Sequence, residues 1–92
     1  MIQSFACKDT EALYVTGRSR RFATIAAVAT RKLQMLTDAC TLDDLKSPPG
    51  NRLEALRADR IGQHSIRIND QWRLCFEWRD GHAWNVEIVD YH

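Results

Sequence analysis

The sequence predicts an α+β fold: a mainly antiparallel sheet of four to five strands packed against two N-terminal helices. Three observations carry this expectation. Apolar residues recur at helical spacing between Phe22 and Ala39, then alternate with polar residues from Ser65 to Tyr91. Between these halves stands Ser47-Pro-Pro-Gly50, a breaker that ends the helical part.

The elements follow in order. Ile2 and Phe5 flank a short apolar start that reads as a first strand. Asp9-Thr10-Glu11 supplies an N-cap and a first-turn acid for a helix to about Thr16, stopped by Gly17. Ile25, Val28, Ala29, Leu33 and Leu36 give the second helix its buried stripe. Thr41 and Asp44 form a capping box, with Asp in place of the usual Glu, for one more turn. Leu53 to Leu56 reads as a strand, and three alternating strands follow. Ile66 and Ile68 mark the first, Trp72, Leu74, Phe76 and Trp78 the second, and Trp84, Val86 and Ile88 the third. All three tryptophans are expected in the core. No repeat or low-complexity linker interrupts residues 1–92, which are expected to form one domain.

Parity sets the register, because directly opposed residues share a face. A three-residue loop, Asn69 to Gln71, pairs Ile66 with Leu74 and Arg67 with Arg73. For the next hairpin the same test favours a three-residue loop, Asp80-Gly81-His82, pairing Trp78 with Trp84 and Arg73 with Val89. The open face then gathers Arg67, Arg73 and Tyr91, with His92 at the strand's end. Like charges facing each other destabilise a sheet, which suggests an anion between the arginines. The plain alternative is ion pairing with Glu77 and Glu87 on the same face.

Composition narrows the function classes. Apolar content of 45% and charged content of 27% are ordinary for a water-soluble globular chain. No segment approaches the roughly 18 apolar residues of a membrane span, and the start lacks a signal-peptide pattern. Cys7, Cys40 and Cys75 are scattered without metal-ligand spacing, which fits a reduced cytoplasm and no cofactor or metal. Of thirteen basic residues ten are arginine, the residue suited to bidentate phosphate contacts. Arg18, Arg20, Arg21, Arg31 and Lys32 lie in a stretch without a carboxylate, and Arg52, Arg57, Arg60, Arg67 and Arg73 follow. Such runs mark either a nucleic-acid patch or a solvated face.

The pattern suggests metal-free RNA cleavage: a base takes the ribose 2′-proton, cations stabilise the phosphate, and an acid protonates the leaving oxygen. Arg67 and Arg73 are the candidate cations. His92 titrates near neutrality, and Tyr91 serves the same exchange or stacks on a base. His64 and His82 are read as structural or solvated. Cys75 sits beside Arg73, which would lower its pKa, and is read as a space-filler.

Residues 53–62 (Leu-Glu-Ala-Leu-Arg-Ala-Asp-Arg-Ile-Gly), 65–73 (Ser-Ile-Arg-Ile-Asn-Asp-Gln-Trp-Arg) and 89–92 (Val-Asp-Tyr-His) resemble the HigB toxins of the RelE/ParE superfamily. The likeness spans the chain, including its Met-Ile-x-Ser-Phe start. It implies a RelE-like fold and a toxin of a type II toxin–antitoxin system that cuts mRNA in the ribosomal decoding site and stops growth. It implies a HigA-type helix-turn-helix antitoxin, the ribosome and mRNA as partners, and operator DNA reached only through the antitoxin. It places the family's site at Arg73, Asp90, Tyr91 and His92, with Arg57 and Arg60 in the basic loop. Where some relatives have histidine this chain has Glu54, so the base is either Glu54 or a division of work between His92 and Tyr91, unless Glu54 is an arginine's structural partner. Two other readings stand: a ParE-type toxin, which shares the fold but acts on gyrase, and a non-catalytic RNA- or protein-binding module.

Overall fold

A computed structural model describes residues 1–91. Two helices, α1 (Lys8–Thr16) and α2 (Ala26–Asp38), cover one face of a sheet formed by β1 (Glu54–Ala55), β2 (Gln63–Arg67), β3 (Trp72–Arg79) and β4 (His82–Asp90). The strand order is β1-β2-β3-β4, and every pairing is antiparallel. This is a meander, the simplest path for strands joined by short turns. Among the described residues the sheet has four strands; the expected first strand is two isolated parallel bridges, Ile2 to Ala83 and Phe5 to Val86. They lie on the outer edge of β4 and satisfy backbone groups that an edge would otherwise expose.

Each helix ends for a local reason. Gly17 adopts φ 76° and donates its N–H to the Leu13 carbonyl, which closes α1 as expected. The N-cap is Cys7, without a side-chain cap bond, so Asp9 lies inside the first turn rather than capping it. Its charge still complements the positive end of the helix dipole. A short 3-10 turn, Ala23–Ile25, leads into α2. The Thr41–Asp44 capping box is present, opening a 3-10 segment over Leu42–Lys46.

Leu13, Phe22, Ala29, Leu33 and Leu36 meet Ile66, Leu74, Phe76, Val86 and Ile88 in one contiguous core, all essentially without solvent exposure. Tyr14 and Thr37 share a hydrogen bond at 2.7 Å that ties the two helices together. The hydroxyl of buried Thr10 accepts the N–H of Ile88 at 3.1 Å, fastening α1 to β4. The predicted Leu53–Leu56 strand shortens to two residues, because Arg52 and Ala58 take positive φ on either side.

The β2–β3 register agrees with parity, with Ile66 opposite Leu74 and Arg67 opposite Arg73. The β3–β4 hairpin departs from it at the tip. Its loop has two residues, Asp80 (φ 56°) and Gly81 (φ 78°), both with the positive φ of a type I′ turn. Consequently Arg79 pairs with His82, Trp78 with Ala83 and Glu77 with Trp84. A β-bulge then absorbs one residue, and Cys75–Glu87, Leu74–Ile88 and Arg73–Val89 fall back into the expected register. Asn85, at φ 53°, carries the bulge. Two expectations are corrected: His82 opens β4 instead of sitting in the turn, and Trp84 leaves the core. Trp84 instead lies under the Arg79 guanidinium, 4.6 Å from it, and donates to the Arg79 carbonyl. Trp72 and Trp78 do pack against the core.

Candidate functional site

The face of the sheet away from the helices carries a row of directly paired residues: Glu54, Ser65, Cys75 and Glu87. One step along the strands lie Arg67, Arg73 and Val89, and Tyr91 follows on the same side. The opposed arginines are stabilised differently. Arg67 pairs with Asp70 of its own hairpin loop and stays one-third exposed. Arg73 is only 12% exposed. Its Nε donates to Ser65 Oγ at 2.8 Å, and Nη2 donates to the Arg52 carbonyl at 2.7 Å. The Glu54 carboxylate stands 3.8 Å from Nη2. The alternative pairing with Glu77 and Glu87 is not observed, since Glu87 pairs with Arg60 at 3.0 Å and Glu77 with Arg79 and Asn85.

The Tyr91 ring lies 5.8 Å from the Arg73 guanidinium, a cation–π contact. Cys75, whose side chain is fully buried beneath the open face, lies near enough to perturb its hydroxyl. Burial pushes the Tyr91 hydroxyl pKa up, and the neighbouring Cys75 adds to this. The Cys75 pKa is also raised: burial outweighs the pull of Arg60 and Arg73, correcting the expected lowering by Arg73. Arg60 donates to Glu87 and to Gln63 at 3.1 Å, and the bond to Glu87 is the main reason its own pKa is raised. Arg60, Glu87, Tyr91 and Arg73 all lie near enough to Cys75 to influence it.

The other candidates divide. Lys32 donates to Asn51 Oδ1 at 2.5 Å, and its pKa is lowered by burial first and by Arg31 and Arg67 next. Arg67 is thus near enough to contribute to that lowering. Arg57 is exposed at the start of the turn Ala58–Arg60, next to Arg60. Arg18 and Arg20 are exposed in the α1–α2 connection, and Arg21 of that segment bonds Asp9 at 3.4 Å and lies over the Phe22 ring. The partners of Arg21 therefore belong to the helical half. Asp90 pairs with Trp72, on the opposite face from Arg73, and accepts a bond from Gln71 at 3.1 Å. His92 lies outside the described residues. Among the described residues, no group of three or more His, Cys, Asp and Glu could hold a metal ion, and no enclosed cavity forms, so the site is an open surface.

Sequence reasoning missed Ser65 and the Arg52 carbonyl as partners of Arg73, and Glu87 as the partner of Arg60. Parity did place Ser65 on the open face, but a serine in a strand carries no signal of what it bonds. The Arg52 carbonyl is aimed by backbone conformation, which no residue pattern announces.

Solved structures define the class of the fold. YafQ from E. coli strain BL21(DE3) superposes with a TM-score of 0.61 at 11% identity, over 98% of this chain and 93% of that one. The YoeB-YefM complex from Staphylococcus aureus gives 0.61 at 17% identity, over 100% of this chain and 98% of that one. The architecture is that of the RelE-like toxins. Residues 3–92 match the family described as RelE-like toxin of type II toxin-antitoxin system HigB. Toxin HigB-1 of Vibrio cholerae serotype O1 is 40% identical over 90 residues, 96% of this chain and 95% of that protein. Endoribonuclease HigB of Proteus vulgaris is 26% identical over 98 residues and the full length of both. The chain therefore belongs to the HigB-like family of toxins of type II toxin–antitoxin systems.

Proposed function

We propose that this toxin is a metal-independent endoribonuclease that cleaves mRNA in the decoding site of the ribosome, in the cytoplasm, and thereby arrests translation. The observation that carries the reading is Arg73: a side chain only 12% exposed, its guanidinium held beside Tyr91 and Glu54 on an otherwise open face. A fixed cation next to proton-transfer groups is what phosphate-ester cleavage needs, because the charge it stabilises develops only in the transition state. The ribose 2′-oxygen attacks the adjacent phosphorus and its proton passes to a base. The bond from phosphorus to the 5′-oxygen breaks, and that oxygen takes a proton from an acid.

Tyr91, a phenol that carries its proton at neutral pH and sits beside the Arg73 guanidinium, fits the acid. The base is Glu54 or His92, and single variants of each separate the two. Asp90, bonded to Gln71, holds the end of β4 in place. Arg60 and Arg57, with Arg67, Arg31 and Lys32, line the approach for RNA, while Arg18, Arg20 and Arg21 dock on ribosomal RNA. The inhibitor is a HigA-type helix-turn-helix antitoxin, which also makes the operator contacts. The relative named Endoribonuclease HigB supports the reaction class.

The test is mRNA cleavage on programmed ribosomes by the wild-type protein and by a variant lacking His92, with ribosome-free RNA alongside. Cutting that needs both ribosome and His92 is the expected result. Intact mRNA from a toxin that still arrests cells would overturn the reading and turn attention to gyrase.

A further inference from the structure

We infer that Ser65 is a positioning residue for Arg73, and that the Arg52 carbonyl forms the second jaw of the same clamp. The inference rests on the nuclease reading and assigns a role to residues that reading leaves unused. An arginine on the open face of a sheet ordinarily samples many rotamers and keeps its head in water. Arg73 does not: its side chain is 12% exposed, with bonds from two of its nitrogens to the protein.

Each jaw is set by the surrounding fold. Ser65 is fully buried at the centre of the sheet, paired with Glu54 on one side and Cys75 on the other. A buried hydroxyl requires a hydrogen-bond partner, and Ser65 Oγ accepts from Arg73 Nε at 2.8 Å. Arg52 adopts φ 46°, ψ 55°, a left-handed conformation that side chains other than glycine rarely take. That conformation brings its carbonyl to Arg73 Nη2 at 2.7 Å. The adjacent Asn51, also fully buried, holds the loop: its Nδ2 donates to the Leu45 and Ser47 carbonyls at 3.1 and 3.4 Å, and its Oδ1 accepts from Lys32. Strain concentrated beside a candidate site and over-determined by its surroundings is a recurrent mark of pre-organisation.

The consequence is specific. With Nε bound to Ser65 Oγ and Nη2 donating to the Arg52 carbonyl at 2.7 Å and the Ser65 carbonyl at 3.5 Å, the two N–H groups of Nη1 remain to meet the phosphate, so Arg73 acts as a fixed donor rather than a swinging fork. Releasing Nε lets the guanidinium rotate about its stem. Ground-state binding by the surrounding basic residues then persists, while stabilisation of the transition state is lost.

Ser65→Ala is expected to lower kcat on programmed ribosomes by on the order of 10²-fold, with KM unchanged within about twofold. Ser65→Thr, which keeps the hydroxyl, restores most of the rate. In an Arg73→Lys background Ser65→Ala adds less than about a twofold further loss, because the two act as one unit. NMR of the wild-type toxin supplies a readout independent of activity and of any variant's folding. The Arg73 Nε–H should exchange with solvent at least about tenfold more slowly than that of exposed Arg18. Equal exchange at the two arginines, or full activity in Ser65→Ala, overturns the clamp while leaving the nuclease reading standing. Wild-type protein that cuts no mRNA on ribosomes overturns the nuclease reading and this inference with it.

Discussion

The two hairpins that share β3 solve the same pairing problem in different ways. Between β2 and β3 the ladder is regular, and it delivers two arginines face to face. Between β3 and β4 a tight turn at Asp80-Gly81 conflicts by one residue with the register that the core demands, and the bulge at Asn85 resolves the conflict. Core packing prevails near the helices, where a one-residue slip would turn Leu74 and Ile88 outwards. Turn chemistry prevails at the tip, where the only loss is Trp84, which rests under Arg79 instead. The regular hairpin holds the proposed chemistry; the bulged one absorbs the mismatch.

The largest expected effect lies in the regular hairpin. Arg73→Ala should reduce mRNA cleavage by on the order of 10²–10³-fold. Its stability should fall by only about 1–3 kcal/mol, from the polar groups left unpaired at Ser65 and Arg52. Cleavage assays read beside thermal melts check both parts, and unimpaired cutting would remove Arg73 from the mechanism. Leu74→Ala tests the claim that the core fixes the shared register. It should destabilise the fold by about 2–5 kcal/mol in urea titrations, as a large-to-small change in a packed core does.

The bulge is next. Asn85→Val forces a β-branched residue into positive φ and should cost about 1–2 kcal/mol, whereas Asn85→Gly should stay within roughly 0.5 kcal/mol. Equal stability of the two variants would show that the bulge is not held at Asn85. The smallest effect serves as a control away from both hairpins. The Asp44 carboxyl pKa is lowered, chiefly by the backbone N–H groups of Thr41 and Cys40. A lowered folded-state pKa contributes stability that is present above the ordinary 3.8 and is lost as pH falls through the lower value. Asp44→Asn should therefore narrow the gap in urea midpoint between neutral and acidic pH without altering cleavage.

Much of this was legible beforehand because burial leaves a periodic trace. The helical stripe of α2 and the facing of Arg67 by Arg73 follow from which residues must avoid water, a local property repeated along the chain. The Thr41–Asp44 box and the Gly17 stop are equally local, since each bond closes within four residues. What escaped the pattern depends on contacts between distant segments. Trp84 reads as core by alternation, and only the competition between a two-residue turn and a remote core turns it out. The plain alternative by face paired Arg73 with Glu77 and Glu87, yet the arginine is held by Ser65 and by the carbonyl of Arg52, 21 positions away, with Glu54 at 3.8 Å. Residue type and periodicity decide which face a side chain occupies, because each strand must bury one face. Which neighbour a charged group bonds on that face is decided by backbone turns and loop conformations, because hydrogen bonds require a distance and an angle that only the assembled fold sets.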